Sequence, residues 1–325
     1  MTLSRLRTLS ILAFFLVFGC SIGINEARAF TVSPVLVDIV VDPGKIGSGK
    51  IEVTNTDNVR HTYVVSIQKF VAKGEDGQQD FLPESDTTGI ADWIVPEARS
   101  VSLDPGQHSS FSYTVNVPQN AEPGGHYAAL FFSDIPVNAE GTRVGVGAKV
   151  GVLFLLRVPG NITETARIEG FRSTADRLSH LPAYFELRIR NVGNVHVHPE
   201  GNVTIRNMFG SVVAKIPVNP REASVLPNSV RRLEPAWANT FKEASSGLFT
   251  ELHNEWRNFG IGRYTAEVQA TYGGQGAMLT STTTFWVIPW QLLIAILLGC
   301  ILLAILRTGY NRLVLRSAIR RSTRR

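Results

Sequence analysis

The residues with the clearest chemical potential are His196-Val197-His198. On an extended segment, positions i and i+2 face the same way, so two imidazoles could grip one ion. Glu200 and His180 are the candidates for a third ligand. H-x-H alone is far less specific than a spaced four-ligand set, and a polar pair ahead of a turn at Pro199 accounts for it as well. The sequence therefore assigns no metal and no cofactor. Trp93 offers a ring face on which a sugar could stack, but Ile94, Val95 and Pro96 favour core or edge packing. The neighbouring acids Glu75 and Asp76 lie in a polar stretch, Gly74 to Gly89, and read as solvated. Gly273-Gly274-Gln275-Gly276 sits between two strands and reads as a hairpin turn rather than a phosphate cradle. Asn161-Ile162-Thr163 and Asn202-Val203-Thr204 match glycosylation sequons, whose use depends on the host. No G-x-S-x-G elbow, H-E-x-x-H helix or GK[ST] loop occurs. No catalytic residue is assigned, and the chain reads as non-enzymatic.

What must position these residues follows from composition and its distribution. Of 325 residues, 44% are hydrophobic and 18% charged, which excludes a disordered polyelectrolyte. The net charge of +5 comes from the ends. Three basic residues precede Phe30 and seven arginines follow Leu306, leaving 22 basic against 26 acidic residues between them. A nucleic-acid partner is thereby disfavoured, since its footprint belongs on a folded basic face.

The first 29 residues read as a signal peptide. Arg5 and Arg7 precede the apolar run Ile11 to Phe18, and Ala27-Arg28-Ala29 sets a cut between Ala29 and Phe30. Val17-Phe18-Gly19-Cys20 is a rival lipobox that Phe18 fits poorly. Val287 to Leu306 is long enough to span a bilayer, with Trp286 and Trp290 at one edge. Arg307 and Arg312 begin the basic tail, 307–325. The positive-inside rule then places that tail in the cytoplasm and the β domains outside, on a single-pass membrane protein. The two cysteines, Cys20 and Cys300, fall in these end segments, so the exported part carries no disulfide.

Between the ends, short alternating runs separated by turn residues predict an all-β protein of two tandem immunoglobulin-like sandwiches, 30–163 and 164–285, followed by one transmembrane helix, 286–306. Strands are expected at Thr31 to Val41, Lys50 to Thr54, Thr62 to Phe70, Ser109 to Val117, His126 to Phe132 and Val146 to Val158. In the second unit they are expected near Tyr184 to Arg190, Gly201 to Asn207, Ser211 to Ile216, Val230 to Pro235, Gly262 to Tyr272 and Leu279 to Ile288. Leu248, Phe249, Leu252, Trp256 and Phe259 recur at helical spacing, predicting a helix over 246–259 whose apolar face caps the core. Two echoes suggest copies of one plan. Tyr127 and Tyr264 open late strands in the manner of a tyrosine corner, and Asn55 with Asn58 parallels Asn191 with Asn194. The first unit holds 9 basic and 15 acidic residues, the second 13 and 11. Such units either attract one another or differ for solubility alone, and the second account is preferred.

Phe30-Thr31-Val32-Ser33-Pro34, Asp42-Pro43-Gly44, Ile51 to Asn55, Asp92-Trp93-Ile94, Leu103 to Gly106, Val117-Pro118 and Pro123 to Tyr127 occur in an order that resembles the N-terminal domain of bacterial WxL-interacting surface proteins. That resemblance implies an immunoglobulin-like peptidoglycan-binding domain, a second β domain for host or partner binding, a membrane helix and a short basic tail. Pilus-type periplasmic chaperones are similar in the early strands but lack the anchor. The expected function is a non-enzymatic cell-surface protein that binds cell-wall polymer or a surface partner protein, with adhesion as its role. The alternative is an assembly scaffold or chaperone-like protein that pairs an edge strand with a client.

Overall fold

The computed structural model describes residues 30–134, 149–238 and 248–322. The expected signal segment through Ala29 lies outside them, as do Val146 to Ala148 of one expected strand.

The chain forms two tandem β-sandwiches followed by one long apolar helix. In the first, β1 (Thr31–Ser33), β3 (Ile46–Thr54), β8 (His108–Asn116) and β6 (Ile94–Pro96) make one sheet. The facing sheet runs β2 (Leu36–Val40), β10 (Lys149–Val158), β9 (Gly124–Asp134), β4 (His61–Lys73) and β5 (Gln78–Phe81), with β7 (Ser100–Leu103) also on β4. Thr31 to Val41 thus differs from the single strand expected. Pro34 has no N–H to carry a ladder, and the chain crosses there from one sheet to the other. Helix α1 (Ile90–Trp93) leads into β6 and buries Trp93 in the core, its ring 4.7 Å from that of His126.

Strands β9 and β10 explain why this sheet reads as almost continuously apolar. Inward positions Ala128, Leu130 and Phe132 meet Val152, Phe154 and Leu156, all at 0% exposure. The outward positions Ala129, Phe131 and Leu155 are buried too, in a second cluster with Phe70, joined by Leu226 from the second sandwich. A sheet covered on both faces loses its alternation.

The second sandwich pairs β11 (Ala166–Ser173), β13 (Ala183–Asn191), β16 (Val230–Leu233) and β17 (Ala236–Trp237) in one sheet. The other runs β12 (Arg177–Leu178), β19 (Ala277–Val287), β18 (Gly262–Tyr272), β14 (Glu200–Arg206) and β15 (Val212–Pro217). The tyrosine echo is not realised as a corner. The Tyr127 hydroxyl meets His196 of the other sandwich at 3.2 Å, and the Tyr264 ring packs on Trp237 and Phe285. Gly273 and Gly276 form the β18–β19 turn with φ of +70° and +64°, values that favour glycine.

Helix α2 (Leu248–Arg257) forms within the expected range but presents a different face. Trp256 and Phe259 are exposed, whereas Glu255 and Asn258 are buried. The reason is its partner, the start of α3 (Trp290–Ser322). The Glu255 carboxylate accepts the backbone N–H of Gln291 at 3.3 Å and of Leu292 at 2.6 Å, two donors that no helical turn can satisfy. Within α3, Trp290–Arg312 is long and apolar enough to cross a membrane by length and composition, and that stretch is almost entirely exposed.

Candidate strand-pairing edge and interdomain junction

Strand β10 pairs with β9 along its whole length, from Lys149↔Ser133 to Val158↔Gly124. On its other side, β2 covers only Leu153 to Arg157, in parallel. Leu153 donates its N–H to the Val35 carbonyl at 3.0 Å, which fixes the side that residue faces. By strand alternation, the N–H and C=O of Gly151 and Lys149 point the same way, past the end of β2. Among the described residues they have no backbone partner there. The notch is bordered by apolar surface: Val150 is half-buried against the core, and Val35 is 66% exposed. Lys149 is held beside it, its Nζ over the Phe131 ring at 4.1 Å and donating to Gln68 at 2.9 Å. A sheet edge of this kind accepts an extended strand through main-chain hydrogen bonds, and alternate side chains set its specificity.

The sandwiches are joined by two groups of charged residues. The tip of the β4–β5 hairpin reaches the second sandwich. There Glu75 takes a forked pair of hydrogen bonds from Arg188, Asp76 meets Arg232 at 2.6 Å, and the Arg232 N–H bonds the Glu75 carbonyl at 2.7 Å. Arg188 and its neighbours hold the Glu75 carboxyl below the ordinary carboxylate value. The expectation of solvated acids is thus corrected: both reach across to arginines of β13 and β16. The second group forms around Asp38 of β2. His196 Nε2 lies 3.2 Å from its Oδ1, and His198 Nε2 lies 3.6 Å from its Oδ2. Burial raises the Asp38 carboxyl, but His196, His198 and Arg157 outweigh it and hold the group down. Burial and the neighbouring His196 push the His198 imidazole down, and burial pushes the Tyr127 hydroxyl up. Arg157 bonds Glu164 at 2.7 Å. Asn194 completes the junction: its carbonyl accepts from Gly125 at 2.8 Å and its Oδ1 from Thr163 at 2.8 Å, while Gly193 leaves no room for a side chain against Thr163.

Of the residues singled out in the sequence, His196 and His198 are brought together, but with Asp38 rather than with His180, which pairs with Glu251 at 3.5 Å. Phe30 is buried against Tyr63. Trp286 lies next to last in β19 and Trp290 begins α3, both exposed, and Arg307 and Arg312 lie on that helix. Asp38, Arg157 and Arg188 carried no sequence signal of their own, and Tyr127 and Glu75 were noted for other reasons. The acidic first unit beside a basic second one was the available hint, and its attraction reading fits the junction.

No protein-family model matches the sequence, and no curated protein matches it. Solved structures do. A chain of a chaperone–tip adhesin complex of CFA/I fimbriae biogenesis is similar at 11% identity over 78% of this chain and 98% of that one, with a TM-score of 0.38. The class 5 fimbriae chaperone CfaA is similar at 12% identity over 79% and 99%, TM-score 0.36. The E. coli chaperone DraB is similar at 11% identity over 80% and 97%, TM-score 0.34. These are likenesses of fold at low identity. They run to fimbrial chaperones, so the expected membership among WxL-interacting surface proteins is withdrawn, and with it peptidoglycan binding, adhesion and the cell-surface role. The single-pass placement with outer β domains and a cytoplasmic tail is withdrawn on the same finding, while the long apolar helix stands as a structural fact. The non-enzymatic reading stands.

Proposed function

We propose that this chain is a non-enzymatic, chaperone-like protein that pairs the open edge of β10 with an extended segment of a client protein. The observation that carries the reading is the mismatch in length between β10 and β2, which leaves the main-chain groups of Gly151 and Lys149 facing outward beside apolar Val150 and Val35. A client strand laid there would continue the line of β2 and place alternate side chains against the first core. A tip adhesin, named with the chaperone in the CFA/I complex, is the class of client to try first.

The test uses a photo-crosslinking residue at Val35, beside the notch, in the full chain expressed in its native cells. A discrete adduct with one protein is expected. Lys149→Pro, which deletes one edge N–H at the first position of the strand, should abolish that adduct, and Lys149→Ala should retain it. An adduct equally strong in Lys149→Pro would overturn the edge-pairing reading.

A further inference from the structure

We propose that Asp38, His196 and His198 form a binding site for one divalent transition-metal ion of the zinc class, linking the two sandwiches. One ligand atom from each residue lies within 4.8 Å of the others, and the two imidazole–carboxylate separations are 3.2 and 3.6 Å. A tetrahedral ion bound at roughly 2.0–2.1 Å holds neighbouring ligand atoms roughly 3.4 Å apart, close to each imidazole–carboxylate separation, with the carboxylate turning one oxygen to each ring. Two imidazoles and one carboxylate form a donor set that suits zinc and its neighbours better than calcium or magnesium.

The local fold explains how this spacing arises. Val197 is buried in the second core and makes an isolated bridge to Val225. That turns His196 and His198 together toward the opposite side, where β2 presents Asp38. The hydrogen bond between the Tyr127 hydroxyl and His196 Nδ1, 3.2 Å long, fixes the ring and leaves Nε2 directed at Asp38. Ligand imidazoles are held in this way by a partner on the second ring nitrogen. The nearby positive charge of Arg157 is paired with Glu164. His198 Nε2 also meets Ser224 Oγ at 2.8 Å, so binding exchanges that contact for the ion and leaves the fourth position to water or to the hydroxyl. A cleft lined by Arg157, His198, Glu200 and Gly273 opens beside His198 and gives the ion a way in.

The experiment is a cobalt(II) and zinc(II) titration of the tag-free full chain in detergent, after chelator treatment. One cobalt per chain is expected, with the intense visible absorption of tetrahedral coordination, bleached by one equivalent of zinc. Asp38→Asn and His198→Gln should each weaken binding at least about tenfold, while His108→Gln, remote from the site, should not. Circular dichroism of the metal-free variants confirms that they fold. If either variant fails to fold, Tyr127→Phe serves in its place and should weaken binding while keeping the tetrahedral spectrum. Failure to bind cobalt, or binding that Asp38→Asn and His198→Gln leave unchanged, would overturn the site.

Discussion

Asn55 and Asn191 do the same job in the two sandwiches. Each is fully buried, and each donates its side-chain N–H to the carbonyl four residues on, Val59 at 2.8 Å and Val195 at 2.7 Å. Each also reaches a distant segment, at the Leu103 and Val225 carbonyls, and accepts the N–H two residues on, from Asp57 and Gly193. Replacing either by alanine strands several buried polar groups at once. Asn191→Ala is expected to cost about 2–3 kcal/mol in urea-induced unfolding, and Asn55→Ala a similar amount. A loss under about 0.5 kcal/mol at both sites would mean that the loops re-form their bonds without the amide.

The hairpin-to-arginine contacts are only partly shielded, with side-chain exposures of 36% for Arg188 and 35% for Glu75. Each should add little to stability, and salt should screen them. Limited proteolysis of the interdomain segment should therefore speed up in an Arg188→Ala, Arg232→Ala double variant at low salt. High salt should bring the unaltered chain close to the variant. Arg172→Ala breaks an ion pair inside the second sandwich and should change neither.

His61 gives the first sandwich a pH dependence. Burial lowers its imidazole, but Asp134 and Asp57, each 2.9 Å away, outweigh that and hold it above its ordinary value of 6.5. A raised folded-state value stabilises the fold fully below the unfolded value, and the gain disappears as pH climbs through the folded one. The melting temperature should therefore fall as pH rises from 6.5. The neighbouring Tyr63 hydroxyl, pushed up to about 12, takes no part in that range. His61→Gln should flatten the profile, and a slope that survives the substitution would point to another group.

At the start of the long helix, Glu255→Ala removes the acceptor of two backbone donors. It is expected to cost about 1–2 kcal/mol and to raise amide exchange at Gln291 and Leu292. Glu255→Gln, which keeps an oxygen in place, should recover part of the protection. Unchanged exchange in both variants would show that the cap contributes nothing.

How much of this could be read in advance varied with range. β8 and β18 lie close to where alternation put them, because each spans many residues with one face buried. β5, β6, β7, β12 and β17 were missed, since two to four residues carry no period, and the eight-residue β11 was missed as well. The helix over 248–257 followed from spacing, yet its buried positions are Glu255 and Asn258. Periodicity counts apolar residues and cannot foresee a helix that docks through a carboxylate. The H-x-H pair was visible, but its third member lies 158 positions away from His196. Only the packing of one sandwich on the other brings Asp38 there.

The route from β19 into α3 has a mechanical consequence. Two residues, Ile288 and Pro289, separate strand from helix, and Ile288 is itself tied to the Leu178 carbonyl at 2.7 Å. Glu255 grips the helix start from a second direction. With so short and doubly braced a joint, the helix has little freedom to swivel on its own. Any torque applied to its apolar shaft passes into the second sandwich, and through the Arg188 and Asp38 contacts into the first. The angle at which the open side of β10 meets its surroundings is then set from the far end of the molecule, by whatever grips the helix.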